Sequence, residues 1–204
     1  MTGDLPAERK DFGALPLERI AEATWELLEE GVKHTSSPFH TPIIASTGEF
    51  GPVQRTVVLR HVDRRTGSLF CHTDRRTSKM RELAADNRMS WLIYDRERKL
   101  QVKLSGAADL HLDDATADAC WSRSRPNSRT CYNTTIGPGQ PAEAPPPAPP
   151  SVTSDDDGQS ARQNFSAIRC DVQFIDWLFL TAAGHRRAFL CREGKEWRAS
   201  WVTP

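Results

Sequence analysis

RTVVLR (55–60), followed eleven residues later by CHTDRRTSKM (71–80), sets two basic clusters at either end of an apolar strand and hairpin. The surrounding chain gives these clusters no general electrostatic reason to exist. The sequence of 204 residues carries 27 Lys and Arg against 27 Asp and Glu, a formal net charge of zero. No global field is available to hold nucleic acid or a membrane surface, so any anion site is local. A hydrophobic content of 38% with 26% charged residues fits one soluble globular domain over 1–204.

Outward from the clusters, apolar residues recur with period two in FHTPIIAST, VQRTVVLRHV, GSLFCHT, MSWLIYD and KLQVKLSGAADL, each bounded by turn-forming residues. Short connections make these strands mostly antiparallel. IRCDVQFIDWLFLT, GHRRAFLC and EWRASWVT add two or three more. PLERIAEATWELLEEGVK (16–33) has helical spacing through Leu17, Ile20, Ala21, Thr24, Leu27 and Leu28, with Gly31 near its stop. Shorter helices are predicted in DRRTSKMRELAADN, capped by Thr77 or Ser78, and over 113–124. Many strands, few helices and no strand–helix–strand alternation predict a mainly β chain with flanking helices, closed or nearly closed as a barrel. Residues 1–15 are expected as a flexible arm, and the Pro-rich run 137–162 as an exposed loop.

A phosphate dianion suits a planar guanidinium, an ammonium, and hydroxyl or backbone donors at a helix start. Arg55, Thr73, Ser78 and Lys79 supply that set, with Ser78 and Lys79 in the first turn of the short helix. A basic run taken alone is more often a solvated turn, and spacing does not decide between the two. Arg55 and Arg60, five residues apart on a strand, point to opposite sides unless a bulge intervenes, which suggests different ligands. Gln101 shares a polar strand face with Lys99, Lys103 and Ser105, and His185 shares one with Arg187 and Phe189. Trp177, among Phe174, Ile175, Leu178 and Phe179, reads equally as core, dimer contact or cofactor cover.

The five cysteines form no C-x-x-C pair and read as free thiols in a reducing cytoplasm. The six histidines show no metal-ligand spacing, so no metal is expected. The opening MTGDLPAERKDFGALP lacks the apolar run of a secretory signal, and no segment reaches bilayer-spanning length. A cytoplasmic location is expected, without membrane or nucleic-acid partners.

The order R-x-V-x-L-R, an apolar strand ending in LFCHT, S-K opening a helix, then LQVKLSG resembles the pyridoxamine 5'-phosphate oxidase family of flavin-binding split barrels. IDWLFLTAAGHRRAFLCREGKEWRASWVTP extends the resemblance to the C-terminus. It implies an antiparallel, Greek-key-like split β-barrel and flavin mononucleotide (FMN) as cofactor. Arg55, Lys79, Ser78 and Thr73 would grip the FMN phosphate, with His72 in the same pocket and Thr56, Val57, Val58, Leu59 and Arg60 completing the binding strand. Gln101 would reach the flavin ring, and Trp177 and Arg187 would arrive from the other subunit of a homodimer. Arg60 stands where the family places a substrate-binding lysine, His185 matches a substrate-side histidine, and Arg129 is a third candidate for substrate contact. Ala183 replaces an arginine that holds the vitamin in true pyridoxamine phosphate oxidases, and the closing RASWVTP also departs. The resemblance therefore implies a flavin-dependent oxidoreductase on a small, pyridoxamine-phosphate-like heteroaromatic substrate, through hydride transfer to flavin N5. The alternative is a non-catalytic flavin or haem binding or storage protein of the same fold.

Overall fold

The computed structural model describes residues 11–152 and 159–204. Nine strands form one antiparallel sheet: β1 (Ile43–Gly48), β2 (Gly51–Thr56), β3 (His61–Asp63), β4 (Ser68–Asp74), β5 (Arg88–Asp95), β6 (Leu100–His111), β7 (Phe165–Phe179), β8 (Arg186–Glu193) and β9 (Glu196–Val202). The order β2-β1-β5-β6-β7-β4-β3 has two ends, and β8 and β9 branch from β7. The long β7 makes the branch possible. It pairs with β6 along most of its length, while its other edge takes β4 over 165–171 and β8 over 174–179. A register shift between Ser105 and Gly106 accommodates the change. Glycine is required there, because a Cβ on Gly106 would lie 2.0 Å from the Asp171 carbonyl oxygen.

The sheet's ladder is not closed, but its two ends are neighbours along the chain. VQRTVVLRHV, predicted as one strand, is divided into β2 and β3 because it changes partner halfway. Val57 and Leu59 donate backbone N–H groups to Pro42 and His40, beside β1, at 3.0 and 2.9 Å. The Arg60 N–H instead reaches the Phe70 carbonyl on β4 at 2.8 Å. Residues 57–60 thus bridge the two ends of a split barrel.

Helix α1 (Ile20–Lys33) buries Ile20, Ala23, Leu27 and Leu28 against the barrel, each worth roughly 1 to 3 kcal/mol. Gly31 lies inside α1 and does not stop it: a Cβ there would meet the Phe39 backbone at 2.5 Å. Arg98 ties α1 to the β5–β6 turn through Glu30 and Asp95. The main core includes Trp91, Trp177, Phe39, Leu28 and Ile44.

A second apolar cluster lies on the outer side of β4 and β7. Phe70, Phe165 and Ala167 meet Cys120 and Trp121 of α3 (Ala115–Arg123), together with Val152 and Ala161. Asp114 caps α3 by accepting from the Ala117 N–H at 2.8 Å. Helices α4 (Pro126–Thr130) and α5 (Gln159–Asn164) were not foreseen. Buried Val152 and Ala161 anchor both flanks of the Pro-rich run, whose residues 153–158 lie outside the described set. Of the predicted arm, residues 1–10 also lie outside it. Residues 12–15 are held: Phe12 is buried, and the Arg186 guanidinium donates to the carbonyls of Phe12, Gly13 and Leu15.

Candidate functional site

Arg55 sits opposite Ile44 in the β1–β2 ladder and therefore faces inward, toward α2 (Ser78–Ala85). Its guanidinium pairs with Glu82 of α2 and donates to the Ser46 hydroxyl and, at 2.9 Å, to the Val53 carbonyl. Ser46 in turn donates to the same Glu82 carboxylate at 2.5 Å. Lys79, one turn before Glu82, donates to the Thr73 hydroxyl at 2.9 Å, and the Thr77 hydroxyl lies 3.4 Å from Thr73. Thr77 is the N-cap residue of α2 without a side-chain cap bond; its hydroxyl turns back to the Asp74 carbonyl at 2.8 Å. Ser78, the first residue of α2, is exposed.

Burial and then the Arg55 charge lower the Lys79 pKa. Cys71 is wholly buried, and its thiol is pushed up to about 12 by desolvation against the opposing pull of Lys79, Arg55 and Arg60. Arg55 and Lys79, from either side of the hairpin in sequence, are therefore brought to one end of α2.

Strand parity separates Arg60 from this group. Val57 and Leu59 are buried, while Thr56 and Arg60 are exposed on the alternate face. Arg60 opens into a cavity of about 240 Å³, whose cations come from Lys33 of α1, Arg60, Arg123 of α3 and Arg125. Among the described residues, no carboxylate lines it. His72 and His61 join the wall. Burial, helped by Arg60, pushes the His72 pKa down to about 4; burial and then Arg123 lower that of His61. Both shifts favour the uncharged forms of these two imidazoles.

His72 does not share a hollow with Thr73. The two are adjacent on β4 and point to opposite faces, and His72 packs edge-on against Phe165 with its Nδ1 3.4 Å from the Ser124 hydroxyl. Arg129 also departs from its expected place. Its guanidinium bonds the Trp121 and Ser122 carbonyls at 2.9 and 3.1 Å and lies 4.9 Å over the Trp121 ring, fixing α4 to α3. Arg125 and Ser128, earlier in the same RPNSRTCY run, line the cavity.

Gln101, Leu178 and Arg187 form one cross-strand row with Tyr94 on the outer sheet face. Arg187 makes a two-pronged pair with Asp176 at 2.9 and 2.8 Å, and Lys103 reaches the same carboxylate at 3.3 Å. Trp177 lies on the other face, opposite Val102 and Ala188, and is fully buried, so it offers no surface to a ligand. His185 is exposed on the β7–β8 turn, where its Nδ1 accepts the Thr181 N–H at 3.2 Å. Sequence reasoning missed Ser46, Glu82, Lys33, Arg123 and Arg125. The one available signal for Glu82 was its helical spacing from Ser78 and Lys79; the others depend on tertiary placement.

Two neighbouring cations beside the hydroxyls of Thr73, Thr77 and Ser78 suit a phosphate monoester, and the chain's relatives point to the same ligand. Residues 22–112 match the family model of the pyridoxamine 5'-phosphate oxidase FMN-binding domain. This region runs from α1 to the end of β6 and holds Arg55, Lys79 and Gln101, so the resemblance read from the sequence is borne out and FMN is the cofactor of the matched domain. No curated protein matches the chain. Among solved structures, a pyridoxamine 5'-phosphate oxidase-related, FMN-binding protein from Nostoc punctiforme is 22% identical, with a TM-score of 0.70 over 94% of this chain and 99% of that one. PhzG from Burkholderia lata, in complex with tetrahydrophenazine-1-carboxylic acid, is 20% identical, with a TM-score of 0.66 over 99% of this chain and 100% of that one. At these identities the likeness is one of fold.

Proposed function

We propose that this protein is an FMN-dependent oxidoreductase acting on a small, anionic heteroaromatic substrate. The observation that carries the reading is the separation of cations by residues 55–60. Arg55, paired with Glu82, and Lys79, one turn away on α2, lie on the inner side; on the other, Arg60 faces a pocket with Lys33, Arg123 and Arg125 to which the described residues add no carboxylate. Two groups of cations on opposite sides of the segment 55–60 suit two anions, the cofactor's phosphate and an acidic group of the substrate.

On this reading Arg55 and Lys79 hold the phosphate, with donors from Thr73, Thr77 and Ser78 at the start of α2. Gln101, on the outer sheet face, orients the flavin ring, and Arg187 contributes positive charge across a homodimer interface. Thr56 and Val58 present the alternate face of the binding strand, while the N–H groups of Val57, Leu59 and Arg60 are already committed to backbone partners. Bound flavin supplies a two-electron acceptor at N5. Arg60 and Arg125 fix the substrate's anionic group, and neutral His72 and His61 give the pocket wall proton-accepting nitrogens without adding charge. The PhzG complex, whose ligand is tetrahydrophenazine-1-carboxylic acid, fits the same substrate chemistry.

The test is spectroscopic. The purified chain is expected to bind FMN with an absorbance band at about 450 nm that bleaches anaerobically on addition of a pyridoxamine-type or dihydroaromatic acid donor. A yellow protein that no donor bleaches would instead be a flavin carrier.

A further inference from the structure

Arg55 is the principal guanidinium of the flavin-side cluster, yet the structure shows it already engaged by an internal anion. Its Nη2 pairs with Glu82, and Ser46 bonds both partners, so hairpin β1–β2 and α2 are joined through one compact cluster. Both side chains are largely covered, at 18% and 12% exposure, so solvent screens the pair weakly. Arg55 and, from nearby, Lys79 carry the positive charge of this neighbourhood, and the Glu82 carboxylate cancels one unit of it.

We propose, resting on the assignment of Arg55 to the flavin phosphate, that Glu82 is a resident competitor for that phosphate. In the absence of ligand the carboxylate saves Arg55 from being an uncompensated covered charge. A phosphate arriving at the same guanidinium meets a like charge at contact range, which costs binding unless the carboxylate withdraws. Space for withdrawal exists: a hollow of about 360 Å³ between the hairpin and α2 is lined by Glu82 itself together with Ser78 and Arg81. The arrangement sets a threshold. A doubly charged ester displaces Glu82 from Arg55, whereas a neutral flavin lacking the phosphate gains nothing from doing so.

Glu82→Gln keeps the shape and hydrogen-bonding capacity of the side chain while removing its charge, so it separates competition from support. Binding of FMN and of riboflavin to the full chain, followed by flavin fluorescence quenching, is the readout, with ligand-free thermal melting alongside. The variant is expected to bind FMN about tenfold more tightly, the scale of one charge-assisted contact, with riboflavin affinity unchanged and a lower ligand-free melting temperature. Should the variant not fold, Ser46→Ala, which loosens the carboxylate without altering charge, is expected to tighten FMN by a smaller factor and leave riboflavin unchanged. FMN affinity that is unchanged or weaker in the folded variant overturns the inference while leaving FMN binding by the wild type intact. A wild-type chain that binds no FMN overturns the functional assignment and the inference together.

Discussion

The inner and outer sides of residues 55–60 hold cations in opposite ways. On the inner side, Arg55 is paired with Glu82 and Lys79 is hydrogen-bonded to Thr73, so each charge has a protein partner before any ligand arrives. On the outer side, Arg60, Arg123 and Arg125 face a cavity to which the described residues add no carboxylate, and the shifts of His72 and His61 favour their uncharged forms. A site whose cations are already held in place by protein partners suits a resident cofactor. An open and unneutralised one suits a ligand that comes and goes.

The largest expected effect comes from breaking the inner pair. Arg55→Ala leaves Glu82 covered without its cation, which should cost about 3 kcal/mol of stability, the lower end for buried ion pairs. It should also remove a charge-assisted bond to the flavin phosphate. Chemical denaturation of the ligand-free protein checks the first effect, and an FMN titration the second.

Next in size is the pH response of the outer side. The folded-state pKa of His72, about 4, lies below its unfolded value of about 6.5, so the unfolded chain binds the proton first as pH falls. Stability is therefore full above about pH 6.5 and is lost progressively toward pH 4, by about 2 to 3 kcal/mol from this residue. Denaturant midpoints measured across that window should slope in the wild type and flatten in His72→Phe. Parallel slopes would remove His72 as the cause.

Much of the fold was legible because period-two patterning survives in MSWLIYD of β5 and in LQVKLS of β6. The division of VQRTVVLRHV was not, since its pattern runs unbroken through 57–60 and only the change of hydrogen-bond partner, from β1 to β4, divides it. The site was half legible for the same reason. Parity along one strand correctly set Arg55 and Arg60 apart, but the same rule applied to β4 would have separated His72 from Thr73. Arg125 and Arg129 share one short run, and nothing local says that the Trp121 ring and carbonyls hold the second while the first lines the cavity. Glu82 meets Arg55 across 27 positions of sequence, a contact that no spacing rule encodes.

Smaller effects sharpen the contrast between the two sides. Arg60→Ala and Arg125→Ala should each raise KM for an anionic substrate about tenfold, with FMN affinity nearly unchanged, as expected for one lost charged contact in the outer cavity. Steady-state kinetics on the FMN-loaded protein separates the two quantities. Least of all, His185→Ala should alter KM by no more than about twofold, because its ring is exposed and engaged with the Thr181 N–H.

One pair of titrations reaches the central claim, that the segment 55–60 divides the cofactor's anion from the substrate's. FMN binding is measured for Lys79→Ala and Arg60→Ala under identical salt. The account predicts that Lys79→Ala weakens FMN by about tenfold or more, the loss of one charged hydrogen bond, while Arg60→Ala stays within about twofold of wild type. Equal weakening in both variants, or none in either, would contradict it.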